Sequence, residues 1–503
     1  MAAGRSYHGT MWQVLGTCWV DLNSGSASSV VDVTETVTPD TGTWRQLLAG
    51  RHLGASTVLA GGVLLYATNE FLTISLLPSA VADIGGQRFY AWVTTVYLVA
   101  SVIAATTVHS MLMRLGPRQA YLLGLTVFGA GSLGCALAPS MEILLAGRTV
   151  QGFAGGLLAG LGYAVINTAL PNTLWTKASA LVSAMWGVGT VIGPASGGLF
   201  AQFGHWRWAF GVLVVLTAAM AALVPVALPG RSGAASAAPG IPVRSLAVLG
   251  MAAMAVSVAG IPHDWRATAA LLVVGVVLVA GFVFIDRRAG ASVLPPSTFG
   301  PGPLKWIYLS LGVLMAATMV DMYVPLFGQR LAHLTPVMAG FFAAVLSVGW
   351  TAGEIVSASL QNRRVIVRTV AFAPVVMAAG LALGAVLIGD GMAPWLVVMW
   401  AVALAITGAG IGIAWPHLSA WAMSSVDDPA EGPAAAAAIN TVQLICGAFG
   451  AGLAGVVVNL RDTGDAAAAR WLFAVFAVLA ALGAVASFRS APRACGSAAQ
   501  HAA

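Results

Sequence analysis

Charged residues are scarce in this sequence. Only 8% of the 503 residues are Asp, Glu, Lys or Arg, whereas about a quarter of the residues in a soluble domain are charged. Hydrophobic residues make up 59%, and the mean hydropathy is +0.88. The composition excludes an ordinary soluble domain and indicates a membrane protein. The net charge of +6 has to be interpreted by where the basic residues lie relative to the membrane. We expect no nucleic-acid partner.

The rarity of lysine excludes a P-loop nucleotide site. Lys177 in LWTKAS and Lys305 in PLKWI do not follow the glycine-rich loop of a Walker A motif. G-x-S-x-G and H-E-x-x-H motifs are absent too, and the four cysteines lack paired spacing, which argues against a disulfide framework or a zinc site. We expect no enzyme, cofactor or metal. We expect a transporter that has no ATP site of its own, and a channel or an unfamiliar membrane enzyme is the alternative of another class.

Long apolar runs are abundant. A helix crosses the hydrocarbon core with about 20 mostly apolar residues, and the sequence predicts an all-α membrane protein with fourteen such spans. Their approximate ranges are 56–79, 90–112, 119–138, 142–166, 178–202, 207–228, 244–262, 267–285, 303–327, 336–359, 368–388, 394–416, 434–458 and 469–488.

Positive charge is unevenly divided between the two sets of loops. Sixteen of the 23 Lys and Arg residues fall on the side of the termini and six on the other, and Arg148 alone lies within a span. Cytoplasmic loops carry the excess of Lys and Arg, so we expect both termini in the cytoplasm and the protein in the plasma (inner) membrane. The N-terminal MWQVLGTCWV resembles a signal-peptide core only weakly, because it contains Gln and Thr.

The fifth span contains GVGTVIGPASGG, residues 187–198. Gly189, Gly193 and Gly197 recur every fourth residue and form a narrow stripe on which another helix can pack closely. Pro194 removes a backbone donor and should bend the helix. Ordinary helix packing is one interpretation of this segment.

A second interpretation is that the segment is a functional motif. Its pattern from Gly189 to Gly198, which includes Gly193, Pro194 and Gly197, resembles the fifth-helix antiporter motif of the major facilitator superfamily. LLAGRTVQGFAGG in the fourth span is similar to that family's fourth-helix motif. Its matching residues are Arg148, Gln151, Gly152 and Gly156. HWRWAF, which opens the sixth span, is also similar to drug:proton antiporters, and its Trp206 and Trp208 suit interfacial anchors equally well.

Fourteen spans arranged as six, two and six resemble the fourteen-helix drug:proton antiporter branch over residues 55–490. The implied domains are an N-terminal tail (1–54), a six-helix half (55–228), a linker (229–243), an extra helix pair (244–290), a second half (291–490) and a C-terminal tail (491–503). The resemblance implies a monomer that exports lipophilic or amphipathic small molecules against protons by alternating access. A lipid or metabolite exporter of the same fold is the alternative.

The loop after the second span departs from the family pattern. HSMLMRLGPRQ keeps Arg114, Gly116 and Arg118 of the gating loop. His109 and Met113 replace its first glycine and its aspartate. We therefore expect the balance between inward and outward states to be set differently here.

Four ionisable residues inside predicted spans stand out: Glu70, Arg148, Asp321 and Glu354. A charge at the bilayer centre costs about 3 to more than 10 kcal/mol, and a buried carboxyl group can exchange a proton for a cationic partner. We therefore expect these four to carry proton coupling. Asn69 stands where the family has an aspartate.

Three of the four have an alternative interpretation. Arg148 suits a structural arginine bonded to backbone carbonyls, and Asp321 suits a position in a solvated vestibule. Glu354 lies nearer the cytoplasm and suits either snorkelling or a gate contact. Helix rise places Glu70 and Arg148 at matching depth, roughly 10 to 15 Å below the outer surface. We therefore predict that these two side chains meet directly or through water.

Two further expectations concern contacts. Gly349-x-x-x-Gly353 in the tenth span should pack against the glycine stripe of the fifth span on the outer part of the interface between the halves. Aromatic side chains within spans offer stacking surfaces for a lipophilic cation, although simple packing explains most of them. They are Tyr66, Tyr97, Tyr163, Trp186, Tyr323, Trp350 and Trp415.

Overall fold

The computed structural model describes residues 43–230, 240–262, 264–426, 428, 431–460 and 464–490, and its regular structure there is helical. This confirms the predicted all-α class. The principal helices are α1 Leu53–Ile84, α2 Trp92–Ala136, α3 Met141–Ala164, α4 Trp175–Gln202, α5 Trp206–Ala227, α6 Val243–Val258, α7 Trp265–Asp286, α8 Leu304–Thr318, α9 Val324–Leu331, α10 Pro336–Ala358, α11 Arg363–Leu387, α12 Pro394–Ser424, α13 Gly432–Asn459 and α14 Asp465–Ser490.

Eleven of the described helical segments are long and apolar enough to cross a bilayer. The second and third predicted spans form one element, α2, which is broken at Gly116 with φ 78° and continues through Pro117. Glycine adopts this backbone conformation without the strain that a Cβ would cause. Because α6 has only 16 residues, a count of fourteen crossings stays a prediction.

Within each half, neighbouring helices pack in pairs. In the N-terminal half α1 packs on α3, α4 and α5, and α2 packs on α3 and α5. In the C-terminal half α10 packs on α12, α11 on α12 and α14, and α8 on α13 and α14. The halves meet where α4 packs on α10 and where α2 packs on α13.

The glycines of the fourth-helix motif explain the tightest of these pairs. A Cβ at Gly152 would overlap the carbonyl oxygen of Tyr97, and one at Gly156 would overlap the carbonyl oxygen of Ser101. The Ser101 hydroxyl donates to the Gly152 carbonyl oxygen at 2.8 Å. Close backbone approach of this kind requires small residues in a membrane helix, so these two glycines serve to pack α3 against α2.

The helices α6 and α7 follow the linker and pack on each other. The Trp92 indole of α2 donates to the Ser257 carbonyl oxygen at 3.1 Å, and the Ser257 hydroxyl donates to Thr95 Oγ1 at 3.0 Å. Gly452 of α13 also approaches Ser257, so α6 touches helices of both halves. The most apolar stretch of α7 is only 17% buried, which leaves most of this helix facing outward.

The predicted tails and linker fall largely outside the described residues, which omit 1–42, 231–239 and 491–503. Their cytoplasmic placement and the domain boundaries within them stay predictions.

Candidate functional site

Contacts between the two halves gather where α1 ends and α10 begins, which we call the outer end. The Tyr90 hydroxyl donates to the Met322 carbonyl oxygen at 3.1 Å. Arg330 donates to the Gln87 side-chain oxygen at 2.8 Å. These bonds join α2 and its preceding loop to the segment between α8 and α10, so the halves are held together at this end.

The helices α4 and α10 also meet near the outer end. A Cβ at Gly198 would lie 2.6 Å from Val337 Cα, and one at Gly340 would lie 3.1 Å from the Pro194 carbonyl oxygen and 2.7 Å from Ser75 Oγ. The predicted contact between the fifth and tenth spans is therefore confirmed. The residues that make it differ from those expected.

The glycine stripe faces α1 and not α10, so its predicted pairing with the tenth span is wrong. A Cβ at Gly189 would lie 2.6 Å from Ala67 Cβ, and one at Gly193 would lie 2.5 Å from Phe71 Cβ. Gly197 continues this contact along α1. A small-residue stripe indicates a close neighbour without specifying which helix that neighbour is.

The glycines of the tenth span pack within their own half. A Cβ at Gly349 would overlap the Ala405 carbonyl oxygen, and one at Gly353 would lie 3.0 Å from the Ala409 carbonyl oxygen. Both partners belong to α12. The Gly349-x-x-x-Gly353 pair therefore joins α10 to α12.

Arg148 of α3 is almost completely buried, with 2% of its surface exposed. Its Nη1 donates to Gln151 Oε1 at 2.9 Å and its Nε donates to the Val93 carbonyl oxygen at 3.4 Å. The Gln151 amide donates to Ser132 Oγ at 2.8 Å, which anchors the pair to α2. The guanidinium carbon lies 4.0 Å from the centroid of the Tyr97 ring, a cation–π geometry.

These contacts favour the structural interpretation of Arg148. Glu70 and Arg148 lie within electrostatic range of each other but form no direct ion pair, and their predicted contact through water stays a prediction. Matching depth fixes height along the helices but not the direction of a side chain, and Gln151 three residues onward on the same face takes the guanidinium. Among the described residues, the salt bridges lie at the outer end, between Arg207 and Asp83 and between Arg330 and Asp465.

Several polar atoms around Glu70 are buried without a hydrogen-bond partner. They are Glu70 Oε2, both amide atoms of Asn69, the Tyr97 hydroxyl and Asp321 Oδ1. Asn69 is fully buried. Buried polar groups are nearly always bonded, and exceptions concentrate at functional positions. This region can therefore offer donors and acceptors to a polar or charged guest.

Glu70 and Asp321 belong to opposite halves and lie within electrostatic range of each other. Asp321 lines a small cavity with residues of α1, α4 and α10, among them Ser75, Pro194 and Gly340. The cavity has about 10 Å³ open to the centre of a water molecule, which suits roughly one water. Asp321 is therefore placed at the junction of the halves.

Glu354 is not brought to this junction. It lies on α10 four residues before Ala358, the end of that helix, and seven residues beyond Ser347, which lines the cavity. Helix rise puts it about 10 Å farther from the outer end than Ser347. Trp350 and Trp415 pack beside each other in the same region, with centroids 5.3 Å apart.

The other sequence-predicted aromatic residues fall into separate groups. Tyr66 stacks on Tyr97 at 5.7 Å and meets Trp186 edge-on at 5.3 Å. Tyr323 stacks on Tyr90 at the outer end, with centroids 4.8 Å apart. Tyr163 is exposed. The first group adjoins Asn69 and the Glu70 region, and Tyr66, Tyr97 and Asn69 are all buried in this structure.

The gating loop lies at the opposite end of the molecule from the outer contacts. Arg118 Nε donates to the carbonyl oxygen of Leu228, just after α5 ends, at 3.1 Å. Arg114 is exposed. Gly116 makes the break in α2, so this loop ties α2 to the last helix of its own half.

Sequence reasoning gave no role to several residues of the site. Asn69 stood out only as a replacement for the expected aspartate, and Ser75, which lines the cavity, did not stand out at all. A polar residue inside an apolar run was the available signal for each of them.

Two helical halves joined at one end, with the partly buried carboxylates of Glu70 and Asp321 near their junction, fit a membrane transporter rather than an enzyme. The chain belongs to the Major Facilitator Superfamily, whose family model matches residues 59–451.

Comparisons with individual proteins agree. The chain is 64% identical to a Mycobacterium tuberculosis protein named a probable multidrug-efflux transporter, over 92% of this chain and 99% of that one. It is 24% identical to the Bacillus subtilis multidrug transporter protein MdtP, over 77% and 71% of the two chains. The solved nucleoside transporter NupG has the same fold, with a TM-score of 0.60 at 13% identity over 86% of this chain and 98% of that chain.

Proposed function

We propose that this protein is a proton-coupled secondary transporter that exports lipophilic or amphipathic small molecules by alternating access. The observation that carries the proposal is the pair Glu70 and Asp321, which lie in opposite halves within electrostatic range. The 64% identical relative named a probable multidrug-efflux transporter supports the export of such compounds.

The pair suits proton coupling for an electrostatic reason. Two carboxylates shielded from water and within electrostatic range disfavour being charged together, so binding or release of a proton at one of them changes the state of the other. Arg148 also lies within electrostatic range of Glu70 and favours its charged form. Glu70 also precedes Phe71, which lines the cavity between the halves with Asp321. A proton arriving at this pair therefore acts where the halves meet, and its effect on their contact couples proton entry to the change of access.

The substrate surface in this proposal is the group of Tyr66, Tyr97 and Trp186 with the buried amide of Asn69. Aromatic faces attract organic cations and bury large apolar areas. The unpartnered amide atoms of Asn69 add one donor and one acceptor. A flat lipophilic cation matches these features better than a small hydrophilic metabolite does.

The proposal includes the membrane arrangement. The protein acts as a monomer in the plasma (inner) membrane, with six, two and six spans and with both termini and the linker in the cytoplasm. The excess of Lys and Arg on that side of the predicted spans supports this orientation. In alternating access, a substrate site between the halves opens first to one side of the membrane and then to the other.

Efflux from a host that lacks its own pumps tests the proposal. A panel of lipophilic cations, neutral amphipaths and hydrophilic metabolites is loaded, and their loss from cells is followed with and without a protonophore. Saturable, protonophore-sensitive export of lipophilic compounds is expected. Export of only hydrophilic metabolites would contradict the proposed substrate class, and non-saturable flux without counterflow would indicate a channel.

A further inference from the structure

A basic cleft lies at the end of the α6–α7 pair next to the linker. Its volume is about 610 Å³, which makes it far larger than the cavity at Asp321. One wall is formed by residues 241–245, where α6 begins. The other is formed by Phe284, Ile285 and residues 288–291, where α7 ends. The transport site described above uses none of these residues.

The wall formed after α7 is fixed by a buried carboxylate. Asp286 is 1% exposed and accepts hydrogen bonds from the backbone nitrogen of Val293 at 2.8 Å and of Leu294 at 3.0 Å. These bonds close the segment that carries Arg288 and Ala289 into a loop. The cleft is therefore bounded by a held loop on one side and by a helix on the other.

The groups that line the cleft favour an anion. Arg244 and Arg288 are both exposed there, and the Arg288 guanidinium carbon lies 3.7 Å from the centroid of the Phe284 ring. The first turn of α6 adds backbone N–H groups and the positive end of a helix dipole. Ser245 lines the cleft as well, is 1% exposed, and has a buried Oγ without a hydrogen-bond partner.

An apolar stripe leads along α7 to this cleft. Val273, Val277, Phe284 and Arg288 lie on one face of the helix, because their spacings follow the helical repeat. The three apolar members are 61%, 63% and 58% exposed, respectively. An exposed apolar stripe that ends at paired arginines matches a molecule with an acyl chain and an anionic headgroup.

We propose that the basic cleft binds the phosphate-bearing headgroup of an anionic phospholipid, with an acyl chain along the exposed stripe of α7. Arg244 and Arg288 pair with the phosphate, Ser245 Oγ donates a hydrogen bond to it, and Phe284 contacts the start of the chain. Ser257 of α6 contacts α2 in one half and Gly452 of α13 in the other. The bound lipid therefore stabilises a helix that packs on both halves.

Native mass spectrometry of the purified full-length protein in a neutral detergent tests the site. Phosphatidylglycerol and phosphatidylcholine with the same acyl chains serve as probes, at matched concentrations. Replacing both arginines, Arg244→Ala with Arg288→Ala, should weaken phosphatidylglycerol binding about 30-fold, or about 2 kcal/mol for two lost arginine contacts. Ser245→Ala should weaken it by a smaller factor.

Arg287→Ala is the matched control, because Arg287 precedes Arg288 but does not line the cleft. It should leave phosphatidylglycerol binding unchanged, and all variants should unfold at the wild-type temperature in lipid-free detergent. Equal phosphatidylglycerol binding by the double variant, or equal loss in Arg287→Ala, would overturn the site. Displacement by inorganic phosphate alone at the same concentration would show a free-anion site and overturn the lipid assignment.

Discussion

The guanidinium carbon of Arg148 lies 4.0 Å from the centre of the Tyr97 ring, and the hydroxyl of the same ring has no hydrogen-bond partner among the described residues. The face of the Tyr97 ring therefore stabilises the charge of Arg148, while the Tyr97 hydroxyl is available to bond another group. The two functions of Tyr97 can be separated by substitution.

Tyr97→Phe keeps the ring face and removes only the hydroxyl, whereas Tyr97→Leu removes both. We expect the Leu variant to lose about 2 kcal/mol of stability through the lost cation–π contact and packing, and the Phe variant to unfold at the wild-type temperature. Thermal unfolding in detergent measures both. Equal destabilisation of the two variants would show that the hydroxyl, not the ring, stabilises Arg148.

Gly193→Leu should abolish or uncouple transport while the protein still inserts. A Cβ there would lie 2.5 Å from Phe71 Cβ and 3.0 Å from the Leu72 backbone nitrogen, so the side chain must push α4 away from α1. Gly187→Leu is the control on the same helix, because a Cβ at Gly187 meets nothing within 4 Å. Efflux assays at matched membrane abundance compare the two. Wild-type coupling in the Gly193 variant would refute the close contact.

Gly340→Leu should hold the outer end open. The new side chain would meet Ser75 Oγ at 2.7 Å and the Pro194 carbonyl oxygen at 3.1 Å, which are atoms that the closed outer end brings against α10. Alkylation of Ser75→Cys, in a background whose native cysteines are replaced by serine, reports access from outside. Faster alkylation is expected with Gly340→Leu than with Gly302→Leu, which sits in open space. An equal rate would argue against α10 as part of the closure.

The outcome at the glycine stripe shows what a helical pattern can predict. Spacing by four placed Gly189, Gly193 and Gly197 on one face and correctly indicated a close neighbour. The identity of that neighbour depends on how the helices are arranged around each other, which spacing along one helix does not specify. For this reason α1, and not α10, meets the stripe.

The ionisable residues show the same limit at the site. Burial cost alone predicted that Glu70, Arg148 and Asp321 would need a reason to lie within spans. The partners of Arg148 come from Gln151 on its own helix and from Val93 on α2, contacts that require the crossing of two helices at close range. Glu70 and Asp321 come within electrostatic range only because the two halves dock against each other. Their positions in the sequence do not reveal this proximity.

The topology can be tested directly. We expect a reporter fused after Arg493, or inserted in the linker at 231–239, to be active only as a cytoplasmic reporter, because Lys and Arg concentrate on that side. A fusion in the outer loop after Gln202 is the control and should give the opposite signal. A periplasmic signal after Arg493 would mean that the number of crossings is odd.

Proton coupling through the Glu70 region is the central claim, and proteoliposome transport tests it most directly. Uptake of a lipophilic cation driven by a pH gradient is compared with substrate counterflow at uniform pH, for wild type, Glu70→Gln, Asp321→Asn and the exposed control Glu142→Gln. We predict that Glu70→Gln loses gradient-driven uptake and its pH dependence but keeps counterflow, while Glu142→Gln behaves as wild type. Gradient-driven uptake with normal pH dependence in Glu70→Gln would contradict the claim and leave Asp321 or Glu354 as the coupling carboxylate.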